Sequence, residues 1–228
     1  MAPAFDCGFA ISTVVPLCEA AYDLNNLPAD WKLVARIEPL DYGFIAQRDS
    51  ELAIVFRGTE GSKPDAEWFA DFDAAPVQNY YGTGTVHRGF QDVYSRIREC
   101  VATAYAGQHC ESLLISGHSL GAALAVLCAG DLARAGAKPR VYTLAGPRPG
   151  WHSFSQWFDG LVPDCFRIVN RWDIVPHLPS SICGAEHVGH GVLVDGGYTL
   201  DWHTAHSLPL SYLPGLKRWT EAATAKVA

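Results

Sequence analysis

The alternation of hydrophobic and polar positions divides the chain into two halves with different rhythms. Residues 10–24 read as a first helix, with Pro16 tolerated near its start. Three strand-like runs follow at 31–37, 42–47 and 51–56. Only the short turn-like segments Asp41-Tyr42-Gly43 and Arg48-Asp49-Ser50 separate them, so antiparallel hairpins are expected. Residues 60–70 are polar and then aromatic, the pattern of a loop or short helix. From Phe90 the rhythm changes. Phe90, Val93, Tyr94, Ile97, Val101, Ala104 and Tyr105 recur at i, i+3, i+4 spacing and predict an amphipathic helix. Beyond it, apolar runs at 112–116, 140–145, 165–170 and 191–194 predict strands. An alanine-rich helix over 122–135 and a second helix around 151–160 separate them. Strands alternating with helices call for a mainly parallel sheet covered on both faces. Ligand sites in such sheets lie at the carboxyl ends of the strands. Thr59, Ser119 and the segment after Asn170 all fall there.

Composition narrows the class of protein. With 228 residues, 49% of them hydrophobic and 18% charged, the chain has ample material for a core. It carries no Ser/Gly-rich linker, charge block or internal repeat, so one domain spanning 1–228 is expected. A formal net charge of −7 argues against nucleic acid as a partner, because phosphate binding needs a basic face. No apolar run reaches membrane-spanning length, so no transmembrane segment is expected. The first six residues lack the basic segment and long apolar core of a secretory leader. That pattern predicts either a cytoplasmic protein or a mature secreted form. Seven cysteines form no C-x-x-C motif, which gives no zinc signal. Most are expected to be small buried hydrophobes, with no disulfide pairing assignable.

The densest chemical signal is Gly117-His118-Ser119-Leu120-Gly121, set between the strand at 112–116 and the helix at 122–135. A serine on so sharp a strand-to-helix turn adopts strained backbone angles, so its neighbours at ±2 must be small. The turn exposes the hydroxyl, and the new helix aims free N–H groups at the same point. A serine hydroxyl needs a base to take its proton and an acid to orient that base. On α/β-hydrolase sheets these partners follow in the order Ser, Asp or Glu, His. Of the acids after Ser119, Asp131 and Asp159 fall in helices, and Asp164 precedes a strand at the wrong end of the sheet. Asp173, three residues past Asn170, lies on the catalytic rim. For the base, His177 is too close to Asp173, and His187 and His190 stand just ahead of a strand. His203 and His206 share one loop before a C-terminal helical stretch, and position alone leaves both open. The oxyanion requires two N–H donors. Leu120 follows the nucleophile, and Thr59 follows a neighbouring strand.

These residues resemble the class 3 (fungal-type) lipases of the α/β-hydrolase superfamily over roughly residues 35 to 213. The resemblance rests on Ala53-Ile-Val-Phe-Arg-Gly-Thr59, Trp68-Phe-Ala-Asp71, Val86-His-Arg-Gly-Phe90 and Thr143-Leu-Ala-Gly-Pro-Arg148. Asn170-x-x-Asp173-x-Val-Pro-x-Leu-Pro179 and His187-Val-Gly189 complete the series in order. The resemblance implies the α/β-hydrolase fold, a mainly parallel central sheet with helices on both faces. It further implies Ser119 as nucleophile, Asp173 as acid, and Thr59 with Leu120 as oxyanion donors. The family places its histidine before a tyrosine near the C-terminus. His206-Ser-Leu-Pro-Leu-Ser-Tyr212 is similar in kind, though with a longer gap, which favours His206 over His203. The implied activity is lipase-type ester hydrolysis through an acyl-enzyme, needing no cofactor and no metal. Feruloyl esterases and phospholipases A1 share the pattern. The implied partner is an ester or lipid substrate, met at a lipid–water interface if residues 60–70 act as a lid.

Overall fold

The computed structural model of the protein describes residues 3–39, 41–59 and 75–225. The expectations for residues 60–70 and for the motif ending at Asp71 lie outside the described residues. In chain order the strands begin with β1 (Lys32–Arg36), β2 (Gly43–Arg48), β3 (Glu51–Phe56), β4 (Pro76–Gln78) and β5 (Thr85–His87). They continue with β6 (Ser112–His118), β7 (Pro139–Leu144), β8 (Gly150–Trp151), β9 (Cys165–Asn170), β10 (Ala185–Glu186) and β11 (His190–Val194). Seven of them form the main sheet, in the order β1-β2-β3-β6-β7-β9-β11. The hairpins β1–β2 and β2–β3 are antiparallel, whereas β3, β6, β7, β9 and β11 run parallel. The switch of rhythm seen in the sequence is this switch of pairing.

Side chains alternate across each strand, and that alternation sorts the core into two layers. Leu52, Ile54 and Phe56 of β3 and Leu113 and Ile115 of β6 share one cluster with three helices. Those helices are Arg88–Ala106, Leu120–Arg134 and His152–Leu161, which supply Phe90, Leu124 and Phe158 among others. The intervening Ala53, Val55 and Leu114 pack with Leu17 and Cys18 from the N-terminal helix, and with Leu216 from the C-terminal one. A fully buried Phe or Leu here contributes about 1.5–3 kcal/mol. The Leu120–Arg134 helix is buried at every position from Leu120 to Ala133. Its alanines let the outer helices approach closely.

Two differences from the sequence expectations have physical causes. The first helix occupies residues 7–20 rather than 10–24, as Cys7–Phe9, a π-helical Ala10–Val14, and Val15–Ala20. Asp6 caps its start by accepting from Phe9 N–H at 2.9 Å. Pro16 has no N–H to return to residue 12, and the turn before it is the widened one. A second, four-stranded sheet, β10-β8-β5-β4, was absent from the sequence reading. Its strands are two or three residues long, too short to show periodicity. All seven cysteines are free, and Cys7, Cys18, Cys128 and Cys165 are buried. Among the described residues no helix is long and apolar enough to cross a membrane.

Candidate active site

Ser119 sits between β6 and the helix that Leu120 opens, with φ 58° and ψ −129°. A non-glycine residue in that region is strained and persists only where its surroundings hold it. The holding contacts are specific. Ser119 N–H donates to Leu144 C=O at 3.0 Å, and Ser119 C=O accepts from Ala122 N–H at 3.0 Å. A Cβ on Gly117 would stand 2.2 Å from Gly121 C=O, and one on Gly121 would stand 2.3 Å from Phe56 C=O. Both glycines flanking the serine are therefore fixed by backbone crowding. Leu120 is the first residue of its helix, so its N–H has no partner within that helix. Ser119 Oγ is buried and makes no hydrogen bond among the described residues.

Asp173 and His206 meet at the carboxyl ends of β9 and β11. His206 Nδ1 lies 2.7 Å from Asp173 Oδ2, and both side chains are buried, at 6% and 1% exposure. A carboxylate only accepts, so Nδ1 carries the proton and Nε2 keeps its lone pair. Tyr212 O–H donates to the same Oδ2 at 2.7 Å, and Val175 N–H donates to Oδ1 at 3.0 Å. Burial, then the Asp173 charge, push the Tyr212 hydroxyl well above its ordinary value, so it remains a donor. The histidine loop is tied down by Asn170, whose amide donates to Ala205 C=O at 2.8 Å. The acid loop is tied by Arg148, which donates to the carbonyls of His177 and Pro179. His203, three residues away, is exposed and lies against Trp202. Burial and hydrogen bonding thus separate the two histidines that chain position left open.

His118 carries a role that the sequence reading missed. Its Nδ1 lies 2.7 Å from Tyr22 Oη, and its Nε2 lies 3.0 Å from His206 C=O. Tyr22 Oη in turn accepts from Gly58 N–H at 2.9 Å. One buried histidine thereby links the turn before Thr59, the serine turn and the loop of His206. Burial first, then the neighbouring His206, hold it well below its ordinary value, so it stays neutral. Its position inside the serine pentapeptide was the available signal. Thr59, His118 and His206 also line one cavity of ≈ 460 Å³ with Tyr22, Trp202 and Leu208. Ser119 and Leu120 lie behind that wall, at 2% and 0% exposure. Among the described residues no group of three or more His, Cys, Asp and Glu converges as metal ligands.

The chain is also similar to known proteins. Residues 53–182 match the family model described as lipase (class 3). A lipase of Rhizomucor miehei is 34% identical over 194 residues, covering 78% of this chain and 52% of that protein. Phospholipase A1-II 3 of Oryza sativa subsp. indica is 34% identical over 184 residues, covering 64% of this chain and 42% of that protein. The chain thus spans about half the length of these relatives. A solved triacylglycerol lipase, described as having a serine protease triad at its catalytic centre, superposes with a TM-score of 0.71. Its sequence is 27% identical, over 85% of this chain and 82% of that one. The mainly parallel sheet with helices on both faces is the α/β-hydrolase fold.

Proposed function

The chain belongs to the class 3 lipase family, and from that premise we propose that it is a serine carboxylic-ester hydrolase. It acts on acylglycerol esters, presented at a lipid–water interface, through an acyl-enzyme intermediate. The observation that carries the reading is the buried 2.7 Å contact of His206 Nδ1 with Asp173, beside a serine held at positive φ. In this reading Asp173 fixes the tautomer that leaves His206 Nε2 basic. His206 takes the Ser119 proton as the hydroxyl attacks the ester carbonyl. The N–H groups of Thr59 and Leu120 receive the oxyanion. The intermediate then collapses, and the alcohol leaves with the proton from His206. Water, deprotonated in turn by His206, releases the acid and restores Ser119. Catalytic contacts such as that of Ser119 Oγ with the base commonly tighten only in the substrate complex.

A second reading, phospholipase A1, is supported by the 34% identity to the rice enzyme of that name. Both readings use the same side chains and differ in the headgroup accepted. The test compares wild type with Ser119→Ala on p-nitrophenyl butyrate, emulsified tributyrin and phosphatidylcholine. Loss of one such group lowers turnover by a factor on the order of 10⁴ or more. The expected result is that loss on every substrate hydrolysed by wild type, with an unchanged circular dichroism spectrum. Hydrolysis that persists in folded Ser119→Ala overturns the reading.

A further inference from the structure

The 460 Å³ cavity that His206 lines also carries in its wall a carboxylate that the reaction does not use. Glu19 lines it together with Tyr22 and Asn26, spaced three and four residues apart along the end of the N-terminal helical region. Tyr22 N–H bonds to Glu19 C=O, and Tyr22 Oη reaches His118 and Gly58, so this stretch is anchored to the serine turn. The Glu19 carboxylate is half-buried and makes no hydrogen bond or ion pair among the described residues. A structural carboxylate in a cleft is normally paired, because an unpaired buried charge is unfavourable. Among the described residues the cavity wall has neither lysine nor arginine to compensate it.

We propose that Glu19 is a specificity-determining residue that admits uncharged acylglycerol esters to the cavity and excludes esters with an anionic headgroup. This rests on the ester-hydrolase reading above and sharpens it. A phosphodiester entering beside Thr59 and His206 loses hydration and meets a negative charge that no lysine or arginine among the described wall residues balances. A neutral glyceride loses little, and its free hydroxyl donates a hydrogen bond to the same carboxylate. Burial raises the Glu19 carboxyl above its usual range, which makes pH 8 the appropriate condition for an ionised wall.

The experiment uses monomeric dioctanoylglycerol, dioctanoyl-phosphatidylcholine and dioctanoyl-phosphatidylglycerol with wild type, Glu19→Gln and Glu19→Lys at pH 8. The readout is the ratio of kcat/KM for the neutral glyceride to that for the anionic phospholipid. Glu19→Gln is expected to lower this ratio about tenfold, and Glu19→Lys further, as removal and reversal of one nearby charge require. Added salt is expected to lower the wild-type ratio and to leave that of Glu19→Gln nearly constant. A ratio that stays within about twofold across all three proteins overturns the proposal, as does failure of either variant to gain phosphatidylglycerol turnover. Melting curves establish that each variant is folded. Wild-type glyceride hydrolysis that survives Ser119→Ala would instead overturn the ester-hydrolase reading, a separate outcome.

Discussion

The two ends of the parallel sheet treat charge in opposite ways. At the amino end, β6, β7 and β9 begin around a cavity of ≈ 550 Å³ lined by Glu51, Lys138, Arg140 and Asp164 among others. It is larger than the cavity at the carboxyl end. Of the charges lining it, Arg140 and Asp164 stand 3.6 Å apart at 47% and 39% exposure. Such pairs contribute about 0–1 kcal/mol and hold nothing in place. At the carboxyl end, Asp173 accepts from three donors, Val175 on its own loop and His206 and Tyr212 from the C-terminal segment. Cavity size therefore does not distinguish the two ends. What does is buried polar groups, brought together from distant positions and with their hydrogen bonds assigned.

The strongest way to break this contrast is a change within the carboxyl-end network. If His206 is the base proposed above, His206→Ala is expected to lower kcat/KM on p-nitrophenyl butyrate by a factor on the order of 10⁴ or more. His203→Ala is expected to change it less than about threefold, since an exposed histidine makes no contact in the network. The reverse pattern would move the base to His203. A smaller effect tests the third donor. Tyr212→Phe removes one hydrogen bond to Asp173, worth about 0.5–1.5 kcal/mol. The expected change is a fall in kcat of about 2- to 12-fold with KM nearly constant.

Stability against pH sharpens the comparison further. The folded protein holds neutral His118 well below its ordinary value, and His187 down to about 3, both first through burial. The unfolded chain takes up these protons near pH ~6.5. The stability that neutral histidine contributes is therefore complete above that pH. It is lost as the pH falls from there toward the folded values. Urea unfolding between pH 6.5 and 5 is expected to show a slope of up to about 1.4 kcal/mol per pH unit for each such histidine. His118→Gln is expected to reduce the slope and leave the contribution of His187. The smallest effect belongs to the amino end. Arg140→Ala is expected to alter unfolding free energy by less than about 1 kcal/mol and leave turnover unchanged.

Much of this arrangement was legible in the sequence because it follows from local chemistry. The serine turn announces itself through glycines that backbone crowding demands. The strand Cys165–Asn170 was placed to the residue by its apolar run, and that placement put Asp173 on the rim. The parts not legible depend on contacts between distant stretches. Nothing local tells that Asn170 reaches Ala205, or that Tyr22 reaches both Gly58 and His118. Local position alone left His203 and His206 open for the same reason, and the family resemblance was what favoured His206. Both stand in one five-residue helix, and only the packing of Tyr212 and Asp173 buries one of them.

The central claim is that Ser119, activated through His206, forms the covalent bond to the acyl group. It is tested most directly by reaction with an alkyl phosphonate ester that mimics the tetrahedral intermediate, followed by intact-protein and peptide mass spectrometry. A single adduct is expected, on the peptide containing Ser119, formed in parallel with loss of ester hydrolysis. In His206→Ala the same adduct forms slower by at least about a thousandfold. An adduct on another serine, such as Ser155 or Ser211, or full inactivation with Ser119 unmodified, would contradict it.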